Sequence, residues 1–405
     1  MRGTGNPFPT METIRFVHPV GEAFRLPRLT NDIAEDGCPY PQKEAIPMSQ
    51  NEGMFYAPKG VPSRVVAPGE FMISTVALDH GHAYGMTQAL IDAGASIRYV
   101  FDPDPEKVEA FLKAFPEAKA AKSEEEVFSD PETKLIVSAA IPSERASLGI
   151  RAMRAGKDYF TDKPALTTLE QLDDVKKAIS ETGRKYMCYY SERLHSEAGT
   201  FVDELIKQGA IGKVLQLNGL GPHRMHPETR PDWFFDKEKC GGILVDLGCH
   251  QIEQYLYYAG ETDAEVSMSR VANYEHRQLG TFDDFGDCAI TGKNGTSLYF
   301  RVDWFTPEGL RAWGDGRTFI LGTDGYIETR KYIDVTAPEK AENTVILVNH
   351  EGEKRFNVTG KAGYPFFGEL ILDIMNRTEN AMTQAHVLKA AELCVIAEMN
   401  AKVLS

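Results

Sequence analysis

The chain has 405 residues, long for one core and comfortable for two domains. A formal charge of −15 argues against nucleic acid or an anionic membrane surface as the main partner, since both would repel it. Six scattered cysteines (Cys38, Cys188, Cys240, Cys249, Cys288, Cys394) without a CxxC pair, a start lacking an export-type apolar stretch, and no apolar run near the ~18 residues of a membrane span lead to the expectation of a cytoplasmic protein with reduced thiols.

Residues 1–70 are rich in Pro and Gly and show no sustained period, yet Phe8, Phe16, Phe24 and Phe55 are many aromatics for a solvated tail. An arm laid over its own domain or over a neighbouring subunit is expected. From Phe71 the grammar changes. "FMISTVAL" reads as a strand, "HAYGMTQALIDAG" as a helix stopped at Gly94, and "SIRYVFD" as a strand ending on Asp102. "PEKVEAFLKAF" (helix), "LIVSAA" (strand), "SERASLGIRAMRAG" (helix) and "DYFTD" (strand) follow. Alternation to about Tyr190 marks a parallel sheet of βαβ units over residues 71–190. Residues 191–405 read differently: strands separated by turn signals, with hairpins at Lys293-Asn294-Gly295 and Asp324-Gly325. This predicts an antiparallel sheet, preceded by a helix carrying Asp246 and His250. Two helices close the chain, Pro365 to Asn376 and about Thr383 to Leu404, and are expected to pack back on the first domain.

Three segments carry candidate chemistry. The turn after the first strand, Leu78-Asp79-His80-Gly81-His82-Ala83-Tyr84-Gly85, stands where a helix start can hold a dinucleotide's pyrophosphate, although only Gly81 matches G-x-G-x-x-G. Asp102, at the end of the second strand, can bind ribose hydroxyls and repels a 2′-phosphate, which favours NAD over NADP. Asp79, His80 and His82 are also metal-ligand types. The helix start should aim the two imidazoles apart, so no metal is expected there, nor at His250 and Glu253. In "CGGILVDLGCHQIEQ", Asp246 and His250 stand one helical turn apart, a spacing that lets a carboxylate steady an imidazole as it takes a proton. In "AGKDYFTDKPALTTLEQL", Lys163 lies at a strand end, where binding crevices form in α/β sheets.

These last two segments, with "RMHPETRPDWFFD", "YYSERLHSEA" and "DWFTPEGLRAWGDGRTFILGTDGYIE", resemble motifs of the glucose–fructose oxidoreductase, inositol dehydrogenase and rhizopine-catabolism (Gfo/Idh/MocA) family. Asp162 replaces the family's usual Glu and Cys240 its first Gly. Ser143-Glu144-Arg145-Ala146 replaces the segment with its usual His, and Gln254 stands where an Asp is common. The resemblance implies an α/β fold: an N-terminal Rossmann-type doubly wound parallel sheet and a C-terminal α+β domain with a large open, mostly antiparallel sheet often used for oligomerisation. It also implies NAD(P)-dependent redox chemistry at a carbinol. Lys163 and His250 would contact the reacting hydroxyl and transfer its proton, with Asp246 binding substrate or orienting His250. Asp79, His80, Gly81, His82, Asp102, Pro142 and Lys163 would contact the cofactor. His223, Arg224, His226, Arg230 and Trp233 are expected to wall a sugar or polyol pocket. The expectation is thus a homo-oligomeric (dimeric or tetrameric) NAD-dependent dehydrogenase of a sugar or polyol hydroxyl. Two alternatives stay open: a glycosidase or lyase that uses NAD transiently for elimination, and a non-catalytic sugar-binding regulator.

Overall fold

The structure, a computed structural model, describes residues 64–337 and 341–404; most of the expected N-terminal arm lies outside the described residues. The first half alternates strictly: β1 (Met72–Val76), α1 (His82–Asp92), β2 (Ser96–Phe101), α2 (Pro105–Ala114), β3 (Lys119–Ala120), α3 (Glu124–Ser129), β4 (Thr133–Ser138), α4 (Arg145–Arg154), β5 (Asp158–Asp162), α5 (Leu169–Thr182) and β6 (Tyr186–Tyr189). The strands pair in parallel in the order β3-β2-β1-β4-β5-β6. That order is the doubly wound dinucleotide fold, and it reverses direction between β1 and β4, where a crevice opens at the strand ends. Local chemistry sets the helix ends. Asp104 caps α2 through Glu106 N with Pro105 in its first turn, and Thr168 caps α5, which stops at left-handed Gly183.

The second half opens with α6 (Ser191–Leu194) and α7 (Glu197–Lys207), followed by β7 (Val214–Pro222) and three helices: α8 (Lys237–Cys240), α9 (Ile243–Asp246) and α10 (Gly248–Ala259). The strands β8 (Ala264–Ala272), β9 (Phe285–Gly292), β10 (Ser297–Asp303), β11 (Arg317–Gly322), β12 (Gly325–Arg330), β13 (Thr344–Asn349) and β14 (Gly352–Asn357) come next, then α11 (Pro365–Asn376), α12 (Gln384–Met399) and β15 (Lys402–Val403). The nine-stranded sheet runs β14-β13-β12-β11-β7-β10-β9-β8-β15, antiparallel except at β7–β10 and β8–β15. The chain after Met399 ends as this short edge strand, so the last helix stops sooner than its sequence spacing predicts.

One face of this sheet packs against α10. Two glycines of β7 make room: a Cβ on Gly219 would sit 2.1 Å from Gln251 Oε1. The opposite face leaves Leu215, Leu220, Tyr299, Phe319 and Leu321 each more than a third exposed. α12 returns to the first sheet, where the Gln384 side-chain amide bonds both the N–H and the C=O of Tyr186 on edge strand β6. No described helix is long and apolar enough to cross a membrane, and the five described cysteines are buried free thiols.

Candidate active site

The β1–β4 crevice is a cleft of about 540 Å³ lined by Ala77, Asp79, Asp102, Lys107, Ile141, Ser147 and Arg151, among others. Asp102 is buried at the end of β2, its oxygens accepting from Leu78 N (2.7 Å) and Asp104 N (2.9 Å). Asp79 faces the same cleft, and Lys107 of α2 meets its carboxylate at 2.7 Å, which offsets a charge that would otherwise repel a phosphate. Burial lowers the Lys107 pKa, but Asp79 and Asp102 outweigh it and keep the ammonium charged. The turn's amides are largely engaged inside the protein: His80 N donates to Ala139 O and His82 N to His80 Nδ1.

A second, narrower pocket lies deeper, between the two sheets. Lys163, Asp246, His250, His223, Arg230, Trp233, His80, His82 and Pro142 all line it. Lys163, buried at the end of β5 and joined to Pro164 by a cis peptide, places Nζ 2.6 Å from Asp246 Oδ1 and 3.2 Å from its backbone oxygen. Burial alone would lower the lysine pKa, yet Asp246 reverses the sign and the pKa is raised; the Asp246 pKa is lowered in turn. Asp246 reaches this point through a local device. Gly241 and Gly242 take φ of +91° and +88°, open to glycine at no steric cost, and the bare Gly242 Cα lets Glu398 accept Leu244 N at 2.9 Å.

The expected Asp246–His250 stack does not form. The helix is interrupted at Leu247, between α9 and α10, and Asp246 turns to Lys163 instead. His250 is 2% exposed with no hydrogen bond at Nδ1. Burial lowers its pKa to about 3, with Glu192 opposing that shift and Lys163 and His223 adding to it. The expected pocket contacts Arg224 and His226 also point elsewhere. Arg224 donates to the carbonyls of Pro307 and Leu310, and His226 pairs with exposed Glu228. The expected separation of His80 and His82 is likewise corrected: both rings turn onto Asp162, with centroids 4.2 Å apart.

Several lining residues carried no sequence assignment. Glu192 accepts from Lys331 Nζ (2.8 Å) and Gln251 Nε2 (3.1 Å); burial pushes its pKa up, but Lys331 and the neighbouring histidines bring it down to about 2. Arg145, 1% exposed, bonds the carbonyls of Ala140, Asp162 and Pro164 and the Asp162 carboxylate. Trp304 and Trp313 flank His223, with ring centroids at 5.4 and 4.5 Å. With Trp233, all three tryptophans of the chain border this pocket. Trp313 and Tyr332 belong to a small apolar cluster separate from the main core. Arg230 lies over the rings of Phe234 and Trp304.

The chain matches known proteins along most of the described length. Residues 76–190 match the oxidoreductase family with NAD-binding Rossmann fold, and residues 201–328 match the GFO/IDH/MocA C-terminal domain. It is 26% identical over 193 residues to scyllo-inositol 2-dehydrogenase (NADP(+)) IolW of Bacillus subtilis (strain 168), covering 48% of this chain and 52% of that one. To D-xylose dehydrogenase of Paenarthrobacter nicotinovorans it is 29% identical over 129 residues, covering 31% and 33%. The chain thus aligns with about half, or less, of these two curated relatives. A crystal structure from Erwinia carotovora atroseptica SCRI1043, named only as an oxidoreductase, superposes with a TM-score of 0.80 at 48% identity, covering 83% of this chain and all of that one. The chain belongs to the GFO/IDH/MocA oxidoreductase family.

Proposed function

We propose that the protein is an NAD-dependent dehydrogenase acting on a secondary hydroxyl of a sugar, polyol or sugar derivative. One observation carries the reading: an ammonium fixed by a carboxylate (Lys163–Asp246, 2.6 Å) and an uncharged imidazole (His250) line one pocket that also holds all three tryptophans. The residues of the β1–β4 cleft fit a dinucleotide. Asp102 stands at the strand end for a ribose, and Asp79, Asp102, Asp104, Glu124 and Glu144 against Lys107 and Arg151 leave the cleft acidic. That balance disfavours a further 2′-phosphate and supports NAD over NADP, although the relative IolW is named for NADP(+).

A bound nicotinamide supplies the hydride acceptor. Lys163 donates a hydrogen bond to the carbinol oxygen and stabilises negative charge there. His250, neutral at physiological pH, accepts the hydroxyl proton. The tryptophan faces suit the C–H surface of a sugar ring. The pocket is narrow, and Trp313 and Tyr332 on its wall belong to a small apolar cluster separate from the main core. The apolar outer face of the nine-stranded sheet supports homo-oligomerisation.

Because every tryptophan borders the pocket, intrinsic fluorescence reports occupancy directly. Titration with a panel of sugars and polyols in the presence of NAD should quench or shift emission for the substrate class and generate NADH. No cofactor reduction across a broad panel, with His250→Ala indistinguishable from wild type, overturns the reading.

A further inference from the structure

Beyond the cofactor contact expected of them, His80 and His82 line the pocket and have no part in the proposed proton transfer. The two rings, one on each side of Gly81, close on a single carboxylate: His82 Nδ1 lies 2.8 Å from Asp162 Oδ1, and His80 Nδ1 lies 3.2 Å from Asp162 Oδ2. All three residues are buried, and their ligand atoms lie within 4.8 Å of one another. Metal–ligand bonds of ~2.0–2.2 Å in a tetrahedron set neighbouring ligand atoms roughly 3.3 Å apart. The two nitrogen–oxygen distances, 2.8 and 3.2 Å, stand near that spacing.

His82 N donates to His80 Nδ1 at 3.2 Å, and an ion at the site would take that lone pair in place of the amide. The carboxylate is also supported from behind. Lys163 N donates to Oδ1 at 2.7 Å, and Arg145, anchored on three carbonyls, reaches Oδ2 at 3.3 Å. Outer contacts of this kind fix a ligating carboxylate in place.

We propose that His80, His82 and Asp162 bind one divalent transition-metal ion, with its open position facing the pocket lined by Lys163 and His250. Two imidazoles and one carboxylate suit zinc, iron(II) or manganese(II), whereas magnesium and calcium prefer all-oxygen sets. The open position takes water or an oxygen of the pocket's occupant.

The full-length protein, treated with a chelator and dialysed, is titrated with Co²⁺ and separately with Zn²⁺, followed by cobalt absorption and by metal analysis after gel filtration. Wild type should retain one equivalent, with cobalt bands free of thiolate charge transfer. His80→Gln and His82→Gln should each bind at least ~10-fold more weakly, while His276→Gln, which alters a His–Asp284 pair in the other domain, should bind as wild type. Asp162→Asn also removes a partner of Arg145, so the two histidine variants carry the test. Sub-stoichiometric binding by wild type, or equal binding by the histidine variants, overturns the site. NAD affinity of the same proteins, read by tryptophan fluorescence, is a separate result that bears on the dehydrogenase reading.

Discussion

Acidification tests the buried histidines most directly. His223 and His250 have pKa values lowered by burial to about 4 and about 3, against an ordinary 6.5. In the unfolded chain both bind protons as pH falls through 6.5; in the folded chain they do not until far lower. The unfolded state therefore gains protons first, and stability falls as pH drops below 6.5. Between pH 7 and pH 5 each ring contributes a loss of about 2 kcal/mol, so the pair contributes about 4 kcal/mol, a large part of a typical stability of ~5–15 kcal/mol. Urea denaturation at the two pH values measures it. Gln at either position should remove that ring's share of the pH slope, and the double variant the share of both, while His80, whose pKa burial also lowers, keeps a share of the same sign. Glu192, lowered to about 2 from 4.5, adds a loss of the same sign only below about pH 4.5. The activity counterpart is a kcat/KM that shows no His250 acid limb between pH 8 and 5. An unchanged slope in the double variant would show that these rings titrate as exposed ones and refute the reasoning.

Asp246→Asn removes the charge that keeps Lys163 protonated, and burial then dominates. The expected result is a fall in kcat/KM of ~10²-fold or more and a new alkaline limb, absent from wild type, in the pH–rate profile. Gly242→Ala places a Cβ 2.4 Å from Glu398 Cδ at a φ of +88°, so a loss of about 1–3 kcal/mol is expected in denaturant unfolding; an unchanged midpoint would contradict the packing. Phe319→Asp in the exposed sheet face should lower the mass measured by light scattering, and an unaltered oligomer would place the interface elsewhere.

Much of the fold was legible because its signals are local. Alternating strands and helices from Phe71 to Tyr190 announced the parallel sheet, and the Asn294-Gly295 and Asp324-Gly325 turns do join β9 to β10 and β11 to β12. The parallel pairings β7–β10 and β8–β15 were not legible, since they join segments far apart in the chain and no turn signal encodes them. α3 had a usable signal that its six residues obscured: Ser123 caps it, with Glu126 N donating to Ser123 Oγ at 3.2 Å, and Glu126 Oε2 reaches back to accept from Lys122 N, the residue before the cap.

The site divides along the same line. Residue types at strand ends and glycine-marked turns located Lys163, Asp246 and His250, and all three line one pocket. Their partners were misread, because a partner is chosen by tertiary packing. Asp246 stands four residues from His250 but bonds Lys163, 83 positions away, since the interruption at Leu247 and the two positive-φ glycines re-aim α9. The same principle hid Glu192, whose burial against Lys331 across 139 residues gives it influence on His250 without any motif. It also misplaced the HxH pair. A helix start separates two side chains along the backbone, but Asp162, on a strand 80 residues away, gathers them again. Sequence spacing therefore marks where proton-handling groups lie; which carboxylate governs which base is decided only where the two sheets meet.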